Sequence, residues 1–265
     1  MLGGTQMYAR PIKALGQNFL KNETVAIAEA AHSYQKNVLE IGPGYGVLTK
    51  QLCKHASRVV AVEKDANLCR FLRTEVKSKR LRLINKDFFK ATDEELQAAD
   101  TDIMIANVPY NLSSKIIEWL LAHSMQAVLC LQKEFVQHMH AQCGTENYSR
   151  LSVMSSLCFS MTKIMDVPRG NFYPVPRVDS AVIYIKPKQQ KVGKEEAQMI
   201  NLLMQHKNKR VRNALIDSHR YLGMDKQVIA SAIKNIDHGD ERAYKLEPKQ
   251  ILEVAQQAIK ALQKE

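Results

Sequence analysis

Val38-Leu39-Glu40-Ile41-Gly42-Pro43-Gly44-Tyr45-Gly46 decides the fold: a short apolar run over 38–41 reads as a buried strand, ends in glycines, and opens into the helical pattern that starts at Val47. Glycines after a strand and before a helix mark backbone that passes close to a ligand. The dinucleotide fingerprint asks for its third glycine at position 47, where this chain has Val47, so a pyrophosphate loop is not matched. A phosphate-binding P-loop is excluded as well, because no Gly-Lys-Ser/Thr follows.

Outward from that loop, short β-branched runs alternate with longer helical stretches, as in βαβ units around a mostly parallel sheet. Strands are expected at Val38–Ile41, Val59–Glu63, Leu81–Asn85, Ile103–Ala106, Val128–Leu131, Ile164–Val167 and Val182–Ile185, seven in all. Helices are expected over 24–32, 47–55, 66–78, 114–123, 134–141 and 151–160. After Lys186-Pro187-Lys188 the composition turns polar through Lys194, and only helical periodicity follows. The expected organisation is a Rossmann-like α/β domain with an N-terminal arm over 1–188 and a small α-helical domain over 189–265.

Three further strand ends carry polar side chains. Glu63 closes the second strand, where an acid can accept from ribose hydroxyls, and the third strand runs into Asp87. The fourth ends in Asn107-Val108-Pro109-Tyr110. Alone, Asn-x-Pro is a common turn. Following a buried run, an amide, a rigid carbonyl and an aromatic ring can hold a planar base by its exocyclic amine. Acids converging on the carboxyl edge suit a ligand with a ribose, an adenine amine and a cationic centre, as in S-adenosylmethionine; ATP would bring phosphates toward uncompensated carboxylates.

Lys and Arg number 38 against 27 Asp and Glu in 265 residues, a net charge of +11, which suits an anionic partner such as nucleic acid or an acidic membrane surface. Five cysteines include no Cys-x-x-Cys pair and no His at metal spacing, so reduced thiols, no metal and a cytoplasmic location are expected. No apolar stretch approaches the ~20 residues of a membrane span, and no signal peptide is evident.

The series Gly-x-Gly-x-Gly, Glu63, Asp87, Asn107-Val108-Pro109-Tyr110 resembles that of class I methyltransferases acting on an exocyclic amine. Leu15-Gly16-Gln17-Asn18-Phe19-Leu20 and Phe172-Tyr173-Pro174-Val175-Pro176-Arg177-Val178-Asp179-Ser180 narrow the resemblance to the KsgA/Dim family of ribosomal RNA adenine dimethyltransferases, along nearly the whole chain. Gln205 to Asp217 is similar to the archaeal branch, and Val108 stands where bacterial members more often have Leu.

The resemblance implies S-adenosylmethionine as cofactor, with Asn18 and Leu20 at its methionine part, Gly42 and Gly44 giving close backbone approach, Glu63 at the ribose and Asp87 at the adenine amine. Asn107 would sit beside both cofactor and base, while Tyr110 and Phe172 would stack on the two faces of the base. The N6 amine is a poor nucleophile because its lone pair is delocalised into the ring. Acceptance of its N–H groups by the Asn107 side-chain oxygen and the Pro109 carbonyl would aim that lone pair and stabilise the positive charge that develops.

Two basic clusters stand out: Lys77, Lys79, Arg80, Arg82, Lys86 and Lys90, and Lys207, Lys209, Arg210 and Arg212. The second is the expected RNA-binding set, since the resembling family places that helical domain against ribosomal RNA. The expected activity is dimethylation of two neighbouring adenosines in a hairpin loop near the 3′ end of small-subunit rRNA. The partner would be an immature small ribosomal subunit and the enzyme a monomer. Two other readings share the motifs: a large-subunit rRNA methyltransferase of the antibiotic-resistance type, and a non-catalytic assembly or transcription factor on the same fold.

Overall fold

A computed structural model of the chain describes residues 18–263. The expected arm from Arg10 to Gln17, with Leu15, Gly16 and Gln17 of its motif, lies outside these residues. The chain divides into two compact units. The described residues up to Lys133 form one with Met161–Pro187; Glu134–Ser160 form the other with the segment that begins at Lys188.

The first unit is built on nine strands: β1 (Phe19–Leu20), β2 (Asn37–Ile41), β3 (Arg58–Glu63), β4 (Leu81–Asn85), β5 (Ile103–Asn107), β6 (Gln126–Gln132), β7 (Phe159–Val167), β8 (Phe172–Tyr173) and β9 (Ser180–Pro187), with the first residues of β7 belonging to the second unit. Seven form one sheet in the order β4-β3-β2-β5-β6-β9-β7. Pairs β2–β3, β3–β4, β2–β5 and β5–β6 are parallel, and β9 runs antiparallel to β6. The central runs Val38–Ile41, Val59–Glu63 and Ile103–Ala106 are buried throughout, as expected for parallel strands covered on both faces. The edge strand β4 mixes half-buried and exposed positions.

Helices α1 (Glu23–Ala30), α2 (Val47–His55), α3 (Ala66–Glu75), α4 (Asp93–Leu96) and α5 (Ser113–His123) complete this unit. Asn22 starts α1 by accepting the Thr24 N–H at 2.8 Å, and Asp65 does the same for α3 through Asn67 at 2.7 Å. The chain walks from β2 out to β4, then returns to place β5 on the other side of β2. That reversal opens a crevice at the carboxyl ends of β2 and β5.

All seven expected strands are present. The last but one is longer than Ile164–Val167 because α7 stops at Cys158 and β7 begins at Phe159. Its added residues 160–163 are Ser, Met, Thr and Lys with mixed exposure, so no apolar run marked them. The two-residue strands β1 and β8 were also unmarked; they pair antiparallel, Phe19 opposite Tyr173 and Leu20 opposite Phe172.

The second unit holds α6 (Lys133–Met139, from its second residue), α7 (Arg150–Cys158), α8 (Lys194–Gln205), α9 (Val211–Asp217), α10 (His219–Leu222), α11 (Lys226–Ala232) and α12 (Pro248–Leu262). Residues 134–160 thus cluster with the helical unit, whereas the composition break at 188 had assigned them to the α/β domain. The reason is packing: α7 lies against α8 and α12, and the fully buried Tyr148 donates its hydroxyl to the Leu246 carbonyl at 2.9 Å.

Candidate active site

The loop after β2 is a cradle only glycine can make. Gly44 has φ +56°, and a Cβ there would meet the Phe19 ring at 2.7 Å; Gly46, at φ +78°, would meet Leu72 at 2.7 Å. Phe19 packs edge-on against Tyr45, ring centroids 4.5 Å apart, so β1 closes over the loop.

Glu63 ends β3 almost fully buried. Its Oε1 accepts the Asp65 N–H at 2.8 Å and its Oε2 the Gly44 N–H at 3.3 Å, leaving lone pairs on both oxygens. Burial pushes this carboxyl above its usual range, and the backbone donors pull against that. Asp87 caps a short 3-10 turn through Phe89 N–H at 3.1 Å and binds Lys64 at 2.9 Å. The Lys64 ammonium holds its carboxyl low.

At the end of β5, Asn107 and the following turn make the opposite wall. Pro109, at φ −54°, leads into a 3-10 turn over Tyr110–Leu112, and its carbonyl accepts the Leu112 N–H at 2.8 Å. One lone pair of that carbonyl remains, on backbone whose direction the proline ring holds. The Tyr110 hydroxyl lies 2.8 Å from Ser180 Oγ, which pins the half-buried ring. The Asn107 Nδ2 donates to Glu29 Oε2 at 3.1 Å, while Asn107 Oδ1 is buried and has no partner among the described residues.

These pieces surround one cavity of about 480 Å³. The structure brings Asn18, Gly42, Gly44, Glu63, Asp87, Asn107, Pro109, Tyr110 and Phe172 together around it. Leu20 is not on its wall; it sits in the core of the unit, and Phe19 lines the cavity beside it. Phe172 is 2% exposed and serves both core and wall. Lys115 and Phe89, neither marked in the sequence, stand at the wall together, the ammonium 5.7 Å from the ring centroid.

Glu29 is the site residue that sequence reading passed over. It is fully buried on α1, and burial raises its carboxyl to about 8, against the pull of the Asn107 hydrogen bond. A signal was present: Val25, Ala26, Glu29 and Ala30 share the buried face at helical spacing, so an acid stands among apolar positions. Glu40, inside the opening motif, is likewise pushed up to about 8 by burial and accepts from Thr49 Oγ1 at 3.1 Å.

Within the helical unit, the four expected RNA-binding cations are engaged internally. Lys207 donates to the Glu146 and Tyr148 carbonyls at 2.7 and 2.8 Å. Lys209 binds Asp217 at 2.6 Å, Arg212 grips both oxygens of Asp240 at 2.8 Å, and Arg210 lies 3.8 Å from the same carboxylate. Among the described residues no group of three or more His, Cys, Asp or Glu is placed to hold a metal ion, and no helix is long and apolar enough to cross a membrane.

Buried Glu63 with free lone pairs and an unpartnered Asn107 oxygen fit a ligand that brings hydroxyl and amine donors and a positive charge; Asp87, expected to be uncompensated, is paired with Lys64, so the preference against a phosphate rests on Glu63. Fold and cavity together define a class I methyltransferase. The sequence model of the family described as ribosomal RNA adenine dimethylase matches residues 10–260, and the chain belongs to that family. It is an S-adenosylmethionine-dependent methyltransferase.

Relatives agree. The chain is 36% identical to the probable ribosomal RNA small subunit methyltransferase A of Thermococcus gammatolerans, over 92% of this chain and 88% of that one. It is 35% identical to the protein of the same name from Methanopyrus kandleri, over 93% and 91%. A dimethyladenosine transferase from Plasmodium falciparum has a crystal structure similar to this one, with TM-score 0.77 and 25% identity over 92% of this chain and 98% of that. The 23S rRNA methyltransferase ErmE shares the fold, with TM-score 0.62 and 23% identity over 91% and 100%.

Proposed function

We propose that this enzyme dimethylates the N6 amines of two adjacent adenosines in a hairpin loop near the 3′ end of small-subunit rRNA, acting as a monomer on an immature small ribosomal subunit in the cytoplasm. The observation that carries the chemistry is the buried, unpartnered Asn107 Oδ1 beside the proline-held carbonyl of Pro109. The choice of small-subunit RNA is supported by the names of the archaeal relatives.

S-adenosylmethionine, when bound, supplies an electrophilic methyl group on a cationic sulfur. Asn18, Gly42, Gly44, Glu63 and Asp87 are the residues that would hold it: backbone passes close at the glycines, Glu63 accepts from the ribose and Asp87 from the adenine amine. Asn107 Oδ1 and Pro109 O accept the two N–H bonds of the target amine, which turns the nitrogen lone pair out of conjugation. Both acceptors also stabilise the charge that grows on nitrogen, and neither has to reorganise, since one is anchored to Glu29 and the other sits in a 3-10 turn. Tyr110 stacks on the base, worth about 1–3 kcal/mol in sites of this kind, with Phe172 across from it. The base has to leave any helix stack to enter.

RNA contact outside the cavity is assigned to Lys209, Arg210 and Arg212, whose partners, half-buried Asp217 and exposed Asp240, are carboxylates that phosphates can replace; Lys207 is committed to backbone carbonyls. Incubation with methyl-labelled cofactor and immature small subunits, followed by nuclease digestion and mass spectrometry, tests the proposal. Dimethyladenosine in small-subunit RNA is the expected product. Label found only in large-subunit RNA, or in neither, overturns it.

A further inference from the structure

Asn107 can present either end of its amide to a ligand, and only one end is useful. An amine awaiting methylation carries N–H donors that need an acceptor; the amide –NH2 turned inward would repel those hydrogens and compete for the lone pair. Rotation by half a turn about the last side-chain bond costs little by itself, so something else has to choose the oxygen.

Glu29 is the group in position to choose. It reaches from α1, on one face of the sheet, to the end of β5, and its Oε2 accepts the Asn107 Nδ2–H at 3.1 Å. Ionised, or carrying its proton on Oε1, the carboxyl accepts through Oε2 and a flipped amide would set oxygen against oxygen; a proton on Oε2 would favour the flipped amide, and the observed Nδ2–H to Oε2 bond is the arrangement that excludes it. Glu29 is fully buried and its Oε1 has no partner among the described residues. A buried acid with half its hydrogen bonds unmade is a poor contributor to stability. Val25, Ala26 and Ala30 show what the same helix face otherwise carries.

The geometry points to Glu29 as a positioning residue for methyl transfer, holding the Asn107 amide so that Oδ1 faces the target amine. This rests on the reading of Asn107 as the amine acceptor. Glu29 touches neither substrate nor cofactor in this role; it acts through Asn107 alone. Its loss lowers kcat and leaves KM for RNA and cofactor in place, because the hydrogen bond it orients strengthens as charge develops on nitrogen.

The test compares Glu29→Met, Glu29→Gln, Asn107→Ala and the Glu29→Met/Asn107→Ala double variant, by kcat, KM and thermal melting, on small-subunit RNA substrate. Glu29→Met is expected to lose about 100-fold in kcat, the scale of a misplaced reacting group, with KM held and the melting temperature equal or higher. Glu29→Gln, which still offers an amide oxygen, is expected to recover about tenfold of that loss. In the Asn107→Ala background Glu29→Met is expected to change nothing further. If Glu29→Met fails to fold, Glu29→Ala replaces it with the same expected kcat loss. Wild-type kcat in Glu29→Met, or a loss that adds fully to that of Asn107→Ala, overturns the assignment while leaving Asn107 in its role. Asn107→Ala with wild-type kcat overturns the reading of Asn107, and this proposal with it.

Discussion

At the end of β5, Asn107 on the cavity wall and Glu29 behind it each keep one buried oxygen without a partner among the described residues, whereas in the helical unit Lys207, Lys209 and Arg212 each close on an acceptor within 2.8 Å. The first region is inconspicuous in charge. The second is conspicuous in sequence, and its charged ends find partners within the fold, although Arg212 Nε is buried without one among the described residues. An unmade hydrogen bond in a buried place costs free energy that folding does not return, and where the residue also lines a cavity, as Asn107 does, a ligand can complete the set. A run of cations marks only where charge is, and intramolecular carboxylates and carbonyls are as ready to take it as RNA.

The widest break in this comparison comes from Asn107→Ala, expected to lower turnover about 1000-fold while RNA affinity in a filter-binding assay stays put. Equal turnover in variant and wild type would empty the cavity side of its meaning. Gly44→Ala is next. With φ +56° and the Phe19 ring at 2.7 Å from the new Cβ, it is expected to lose about 2–3 kcal/mol in urea unfolding.

The helical side is sharpened by a pair of variants. Lys207→Met removes the donor to Glu146 and Tyr148 carbonyls and is expected to cost about 2 kcal/mol in unfolding, with the salt dependence of RNA binding unchanged. Arg210→Ala, whose guanidinium is 3.8 Å from Asp240 and largely exposed, is expected to leave stability alone and reduce the salt slope by about 1. The reverse assignment would show that the internal contacts of this cluster do not predict its use.

A further effect is on pH. Glu29 and Glu40 are held neutral by burial, each raised from 4.5 to about 8. In that window the folded chain binds more protons than the unfolded one, so stability is greatest at the acid side and falls as pH rises toward 8. Glu40→Gln keeps an acceptor for Thr49 and removes one titrating group, so its melting temperature is expected to decline less steeply from about pH 5 to about pH 8. Parallel curves for variant and wild type would show that Glu40 is not buried as an acid.

Much of this was readable in the chain. The runs Val38–Ile41, Val59–Glu63 and Ile103–Ala106 are continuous and apolar because both faces of a central parallel strand are covered, so their places follow from composition alone. Gly44 and Gly46 were legible because an L side chain cannot take their φ without clashing. The membership of 134–160 in the helical unit was not, because an amphipathic helix shows that one face is buried and not against what.

By itself, then, the sequence determined the parallel sheet, the glycine cradle and the succession of Glu63, Asp87 and Asn107 at strand ends, since each depends on local periodicity or on a residue with few conformational alternatives. Only the tertiary structure decided strand order, the removal of Leu20 from the cavity wall, the internal commitment of Lys207, and the pairing of Glu29 with Asn107 across 78 residues of chain. Those are contacts between segments distant in sequence, where a side chain's meaning comes from the partner that packing brings to it.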